Sequence, residues 1–376
     1  MKKIALIGST GSIGRQTLNV CRRHPDKFKI VSLAGGYNGK LLEEQVAEFN
    51  PLVVTSATEI ILPADCKSKS SVGKTAYLDA IIEEADVVVV ALVGFEGIHA
   101  VLKAVQMGKD VALANKESLV VGGDLVINAV NKAGVKLLPV DSEHSAIWQA
   151  LGQDRAKPFK RIILTASGGA FRDLSVDELG AVTASQALKH PNWNMGAKIT
   201  VDCATMVNKA FEVIEAKWLF NTNFDDIDVI IHKESIIHSM VEYVDGSVIA
   251  QMSYPSMEVP ISLALAYPDR VSTDIRSLNF SEFKNLTFSS PDKVKYPCLD
   301  LVIGAGIKGG CLPAVANGAN EVAVNLFLQD KIKFNDIYKS IAHALDGFSG
   351  SNQVTFENLC QADQFGRNAV YGLFGD

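Results

Sequence analysis

The sequence predicts an α/β protein in three parts: an N-terminal doubly wound parallel-sheet domain, an α+β middle domain and a small C-terminal α-helical domain. Three observations carry this. Short unbroken apolar runs alternate with helical patterns as far as Val140; the pattern turns mixed after Asp141; from Cys298 it is helical alone. Runs without polar alternation mark strands covered on both faces, and repeated strand–helix units place such strands in one parallel sheet. The length of 376 residues suits two or three domains at roughly 150 residues each.

In the first part, the expected strands are Lys3–Ile7, Phe28–Leu33, Leu52–Thr55, Asp86–Leu92, Asp110–Ala114 and Val135–Val140. Helical patterns fall at Gly14–Arg23, Leu41–Phe49 and Ile98–Met107. In the middle part, Arg161–Thr165, Val229–His232, Ser239–Val244 and Ser247–Ser253 read as strands, with Asp245-Gly246 as a hairpin turn. Ala204–Phe220 reads as one helix. A polar connection follows, and then helices at Leu299–Ile307, Ala314–Gln329, Asn335–Leu345 and Val354–Tyr371. The expected boundaries are 1–141, 142–268, a linker over 269–297, and 298–376.

The formal net charge of −6 argues against a general nucleic-acid or membrane-surface binder. The six cysteines are scattered and form no CxxC pair, which points to reduced thiols rather than a disulfide framework or a zinc ribbon. The apolar run near Met1 stops at Gly8, too short for a signal peptide, and no stretch reaches the length of a spanning helix. The expectation is a cytoplasmic protein with no membrane or nucleic-acid partner.

Gly8-Ser9-Thr10-Gly11-Ser12-Ile13-Gly14 follows the first strand and opens a helix. Glycines allow the tight turn and a close approach of backbone to a pyrophosphate, while the helix N-terminus offers open N–H groups. The plain alternative is an ordinary strand–helix turn. Its place after the first strand favours a Rossmann-like dinucleotide-binding domain. The second strand ends in Ala34-Gly35-Gly36-Tyr37-Asn38-Gly39-Lys40, with no acid for a ribose 2′-hydroxyl. NADPH is therefore favoured over NADH, with Lys40 or Arg15 to pair with a 2′-phosphate.

Asp141-Ser142-Glu143 stands at the end of a strand, where ligands of open α/β sheets bind. Read as extended chain, it points Asp141 and Glu143 the same way, toward one cation. Oxygen ligands suit Mg2+ or Mn2+. Asn208, Lys209 and Glu212 share a helix face and present an amide, an ammonium and a carboxylate. The alternatives are an exposed acidic turn and a surface Lys209–Glu212 ion pair. Asn115-Lys116-Glu117 closes another strand end, and reads equally well as a helix start. His190-Pro191-Asn192-Trp193-Asn194-Met195-Gly196 is a loop of the kind that closes over a ligand.

These stretches together resemble the 1-deoxy-D-xylulose 5-phosphate reductoisomerase family. The matching segments are GSTGSIG from Gly8, ALANKESLV from Ala112, DSEHSAI from Asp141, LTASGGAF from Leu164, HPNWNMG from His190, KITVDCATMVNKAFEVIEA from Lys198, IIHSMVEYVDGSVIAQ from Ile236, YPCLDL from Tyr296 and NGANEVAV from Asn317. They run in order over nearly the whole chain. The resemblance implies NADPH- and divalent-metal-dependent isomerisation and reduction of 1-deoxy-D-xylulose 5-phosphate to 2-C-methyl-D-erythritol 4-phosphate, in non-mevalonate isoprenoid precursor synthesis, by a homodimer.

Residue by residue, it implies that Asp141, Glu143 and Glu212 are metal ligands and that Lys209, Glu143 and Asp141 carry the chemistry. Ser142, Glu143, Ser167, His190, Trp193, Cys203, Asn208, Lys209 and Glu212 would contact substrate. Gly8, Ser9, Thr10, Gly11, Ser12, Ile13, Gly14, Gly36, Asn38, Asn115, Lys116, Glu117, Met195 and Gly196 would contact the cofactor. Three departures stand out. Cys203 replaces the family's usual serine, Tyr37 replaces a frequent basic residue, and His232-Lys233-Glu234-Ser235 replaces His-Pro-Gln-Ser. Two other classes fit parts of the pattern. One is a metal-assisted dehydrogenase on a hydroxy acid or semialdehyde, which needs no phosphate group. The other is a non-catalytic nucleotide sensor, which needs no converging carboxylates.

Overall fold

The structure is a computed structural model and describes residues 1–63, 66–152 and 158–375. In chain order the elements are β1 (Lys2–Ile7), α1 (Ser12–Arg23), β2 (Phe28–Ala34), α2 (Gly39–Phe49), β3 (Val53–Ser56), β4 (Lys69–Val72), β5 (Val87–Val90), α3 (Gly97–Gln106), β6 (Asp110–Leu113), α4 (Glu117–Ala133), β7 (Leu137–Pro139) and α5 (Ser142–Leu151). Then come β8 (Phe159–Ala166), α6 (Ala184–Ala187), α7 (Ala197–Thr205), α8 (Val207–Phe220), β9 (Ile227–Ile231), β10 (Ile237–Tyr243), β11 (Val248–Met252), α9 (Glu258–Ala266), α10 (Pro297–Lys308), α11 (Leu312–Leu328), α12 (Phe334–Gly347) and α13 (Phe356–Phe374).

The chain divides into two compact units. The first comprises Met1–Ser118, Val126–Ser142 and Met257–Ile275. Its sheet runs β4-β3-β2-β1-β5-β6-β7, with every pair parallel. The order reverses between β1 and β5, the crevice in which such sheets bind ligands. Val87–Val90 and Ile4–Ile7 are at most 2% exposed, which is why these runs show no polar alternation. The sequence pattern does not mark β4 as a strand. Lys69-Ser70-Ser71-Val72 is short and polar because it lies at the sheet edge, half open to solvent.

The sequence reading ended the middle part at 268, whereas Met257–Ile275 belongs with the first unit. α9 is apolar all round and buries Ile261, Leu263, Ala264 and Leu265 beside α1, β6 and β7. Arg23 ties it down through Glu258 at 3.0 Å.

The second unit comprises Leu119–Leu125, Glu143–Ser256 and Arg276–Asp376. Its sheet runs β11-β10-β8-β9, with β10 antiparallel to β11 and β8, and β8 parallel to β9. α5 and α8 lie on this sheet through Ile147, Leu151, Val213 and Ala216, packed against Ile162, Leu164, Ile227 and Val241. Each Val, Leu or Ile among them contributes about 1.5–3 kcal/mol when fully buried. α10 to α13 sit where the sequence expects helices. The single helix expected over Ala204–Phe220 is two, because Met206 adopts φ +65° and breaks the run between α7 and α8. Among the described residues, no helix is long and apolar enough to cross a membrane.

Candidate active site

In the first unit, Gly8 ends β1 with φ +95°, and a Cβ there would lie 2.5 Å from the Ala91 carbonyl oxygen. A Cβ on Gly14 would lie 2.2 Å from the Gly8 oxygen. Both positions therefore require glycine. The N-cap of α1 is Gly11, with no side-chain cap and no acid in the first turn. The helix thus offers open N–H groups and a positive end to an anion. Thr10, Ser12 and Ile13 are partly exposed on this turn, whereas the Ser9 side chain is fully buried. Arg15, Tyr37 and Lys40 are all exposed.

Other sequence-predicted residues of this unit have local structural partners. Asn38 accepts the Leu41 N–H at 3.2 Å and caps α2, and the Gly36 carbonyl accepts from Ser56 at 3.1 Å. Asn115 is fully buried and donates to the carbonyls of Leu92 (3.1 Å) and Gly94 (3.0 Å) and to Glu117 (2.9 Å). It staples the loop after β5 to the start of α4, so the helix-start reading describes its side chain. Lys116 pairs with Asp141 at 2.5 Å.

Ser142 begins α5, and its N–H donates to the Asp141 carboxylate at 3.2 Å. The extended reading of Asp141-Ser142-Glu143 is therefore corrected. Asp141 precedes a helix and Glu143 stands in its first turn. The helix period, set by Ile147, Ala150 and Leu151 burying onto the sheet, overrides local alternation.

In the second unit, Glu143, Asn208, Lys209 and Glu212 come together as the helix spacing requires. The Lys209 ammonium binds Glu143 at 2.6 Å and also Glu212, and Asn208 donates to Glu212 at 2.5 Å. Carboxylate oxygens of Glu143 and Glu212 lie within 4.8 Å of one another. Lys209 is 3% exposed and Glu212 1%, so this is no surface ion pair. Burial alone would lower the Lys209 pKa, but Glu143 and Glu212 outweigh it and hold the ammonium above the ordinary lysine range. Two carboxylates around one ammonium leave a net charge of −1 in a buried place. That excess, carried on oxygen donors alone, fits a hard divalent cation.

Ser167, at the end of β8, lies 2.8 Å from His190 Nε2. Burial, and then the Arg172 guanidinium, pull the His190 pKa down to about 4. Trp193 packs edge-on against His238 at 5.9 Å. Gly196 is the N-cap of α7, and Met195 and Cys203 are partly exposed.

Sequence reasoning missed several partners. His144, buried between α5 and α8, donates through Nε2 to the Glu212 carbonyl at 2.9 Å, with Glu215 Oε2 at 3.3 Å from Nδ1. Its position next to Glu143 was the available signal. Arg172 donates to the carbonyls of Ser167 (3.2 Å) and Lys233 (2.8 Å). Lys233 pairs with Asp173, and Glu234 accepts from Thr287, so the unusual His232-Lys233-Glu234-Ser235 segment makes its own local ties.

A family model described as 1-deoxy-D-xylulose 5-phosphate reductoisomerase matches residues 4–123. Two models of that enzyme's C-terminal domain match residues 137–220 and 252–369. A relative of that name from Pelotomaculum thermopropionicum is 47% identical, over 98% of this chain and 97% of its own length. The chain belongs to the 1-deoxy-D-xylulose 5-phosphate reductoisomerase family. A relative from Synechocystis is 48% identical over 98% of this chain and 97% of its own. Among solved structures, a reductoisomerase in complex with NADPH, fosmidomycin and magnesium superposes with a TM-score of 0.94 at 36% identity, covering 100% of this chain and 98% of the other. The Zymomonas mobilis reductoisomerase in complex with NADPH gives 0.91 at 38%, covering 99% of each.

Proposed function

We propose that this chain uses NADPH and a divalent cation to convert 1-deoxy-D-xylulose 5-phosphate into 2-C-methyl-D-erythritol 4-phosphate. The observation that carries the reading is the buried Lys209 ammonium between Glu143 and Glu212, in a member of this family. Asp141, joined to Glu143 through Ser142 alone, completes the set of oxygen ligands. A bound Mg2+ or Mn2+ supplies Lewis acidity to a ketone and its neighbouring hydroxyl. NADPH, bound at the glycine turn by its phosphates, supplies the hydride.

The remaining work falls to side chains of this chain. Lys209, held charged, offsets negative charge developing on substrate oxygens. Ser142 binds a substrate hydroxyl. Ser167, Cys203, Asn208 and Lys209 take the phosphate, with the Cys203 thiol a weaker donor than the family's serine hydroxyl. The loop carrying Trp193 and Met195 excludes water from the reactive aldehyde.

The working protein is proposed to be a cytoplasmic homodimer. β11 is an edge strand with Val248 and Ile249 about half exposed, an apolar edge that a second copy would cover.

The test is NADPH absorbance with the phosphorylated ketose and Mg2+. Metal-dependent loss of NADPH, abolished by EDTA and by Glu212→Gln, with a branched polyol phosphate as product, is expected. NADPH binding without turnover under any divalent metal would refute the reading.

A further inference from the structure

The loop between α6 and α7 is fastened to the turn between β9 and β10 by a side chain that the reaction itself does not need. Asn192 Nδ2 donates to the Lys233 carbonyl at 2.6 Å and to Ser235 Oγ at 2.7 Å. That turn is a firm seat. His232 beneath it is fully buried, lies 3.0 Å from the Thr287 carbonyl through Nδ1, and accepts the Ile236 and Ile237 N–H groups at Nε2, each at 3.2 Å. Phe288 stacks on its ring at 4.9 Å. Ser235 itself sits at φ +52°, a conformation that a β-carbon disfavours and its surroundings impose. Arg172 grips the same Lys233 carbonyl and the Ser167 carbonyl, so one turn braces both the loop and the end of β8.

The backbone of the fastened loop then sets proton positions. The N–H groups of Asn192 (3.2 Å) and Trp193 (3.0 Å) both donate to His190 Nδ1. Nδ1 is therefore the acceptor nitrogen, and in the neutral ring Nε2 carries the hydrogen. Nε2 faces Ser167 Oγ at 2.8 Å and donates to it. The same oxygen accepts the Gly169 N–H at 3.1 Å. A hydroxyl has two acceptor positions and one hydrogen. Ser167 has both acceptor positions filled.

We propose that Asn192 is a positioning residue: docked on the turn between β9 and β10, it holds His190 so that Ser167 presents only its hydroxyl hydrogen, a donor suited to an anionic phosphate oxygen. This rests on the reading that Ser167 takes the substrate phosphate. It ties loop closure to phosphate recognition, since undocking the loop frees the imidazole to turn and the serine hydroxyl to point elsewhere. An oxygen whose hydrogen is already aimed loses less freedom when the anion arrives. The seat uses a backbone carbonyl, so the Lys233 and Glu234 departures leave it intact.

The test compares wild type with Asn192→Ala, Asn192→Asp, Ser235→Ala and the Asn192→Ala/Ser235→Ala pair. The readouts are steady-state kinetics, competition by inorganic phosphate, and limited proteolysis of the loop over residues 188–196. Asn192→Ala and Asn192→Asp, which both lose the two donors, are expected to raise KM and to weaken phosphate competition by about tenfold, the size of one or two net hydrogen bonds. Their kcat is expected to change less than about threefold and loop cleavage to speed up, while Mg2+ dependence stays as in wild type. The double variant should be no worse than Asn192→Ala alone, because the two changes break a shared contact. Unchanged KM and phosphate competition in both Asn192 variants, a fall in kcat alone, or full additivity in the double variant would overturn the proposal. If wild type fails to turn over the phosphorylated ketose, the proposed activity is what fails. The latch is then judged by proteolysis and phosphate binding alone, and is refuted if neither differs among the variants.

Discussion

Glu212→Gln takes one carboxylate from a buried set of three charges. In the native protein Lys209 stands between Glu143 and Glu212, so the set carries −1; the variant makes it neutral. The metal then loses both a ligand and the excess charge that favours it. Loss of a mere supporting group around a metal weakens binding about 10–100-fold, and loss of a ligand belongs at or beyond the upper end. Binding stabilises the fold by RT ln(1 + [L]/Kd). At a Mg2+ concentration of about 100 times the native Kd, wild type gains about 2.7 kcal/mol, and a variant with a Kd about 100-fold higher gains about 0.4 kcal/mol. For units of this size each kcal/mol moves the melting temperature by about 2–4 °C, so the expected shifts are about 5–10 °C and about 1 °C. Thermal melts with EDTA and with Mg2+ read the difference directly. In EDTA the variant should melt lower, because the new amide sets an N–H against Asn208 Nδ2 or Lys209, a buried mismatch of about 1–3 kcal/mol. A variant that keeps the full Mg2+-induced shift would sink the assignment of Glu212 as a ligand.

Three further outcomes are expected. Gly14→Ala drives a β-carbon into the backbone of Gly8 and Ser9, so NADPH affinity measured by fluorescence titration should fall at least about tenfold, with about 1–3 kcal/mol lost from stability. Because the folded pKa of His190 lies near 4, below its unfolded value of about 6.5, its contribution to stability is present above pH 6.5 and lost as pH falls toward 4. Urea midpoints should therefore drop less between pH 7 and pH 4.5 in His190→Asn than in wild type. Arg367 pairs with Asp363 and Glu321, each at 2.6 Å, and joins α13 to α11. Arg367→Ala should cost about 2 kcal/mol by leaving Asp363, whose pKa burial already raises, without its cation.

What the sequence makes legible follows from what leaves a mark on side-chain pattern. Val87–Val90 is buried on both faces and shows it, and Gly8 and Gly14 are glycine because nothing larger fits. Asn208, Lys209 and Glu212 can be placed together from helix spacing alone. The misreadings occur where the mark is weak or shared. β4 is too short and polar to stand out. Strand alternation makes Asp141-Ser142-Glu143 look extended, although the buried residues that follow it make a helix. Met206 interrupts an apolar run that reads as one helix, because a left-handed residue other than glycine has no local signature. Asn115 has the composition of a ligand contact and the surroundings of a staple. The seat for Asn192 is largely a backbone carbonyl, which no residue pattern reports.

α9 lies far along the chain from the sheet it covers. During synthesis the first seven strands emerge early, yet the apolar surface beside α1, β6 and β7 stays bare until Met257–Ile275 follows, after the greater part of the second unit. At ribosomal rates that interval is on the order of ten seconds. The nascent N-terminal unit therefore carries a temporary sticky face, suited to chaperone capture, and a fragment ending at Asp141 would keep that face permanently and be prone to aggregate.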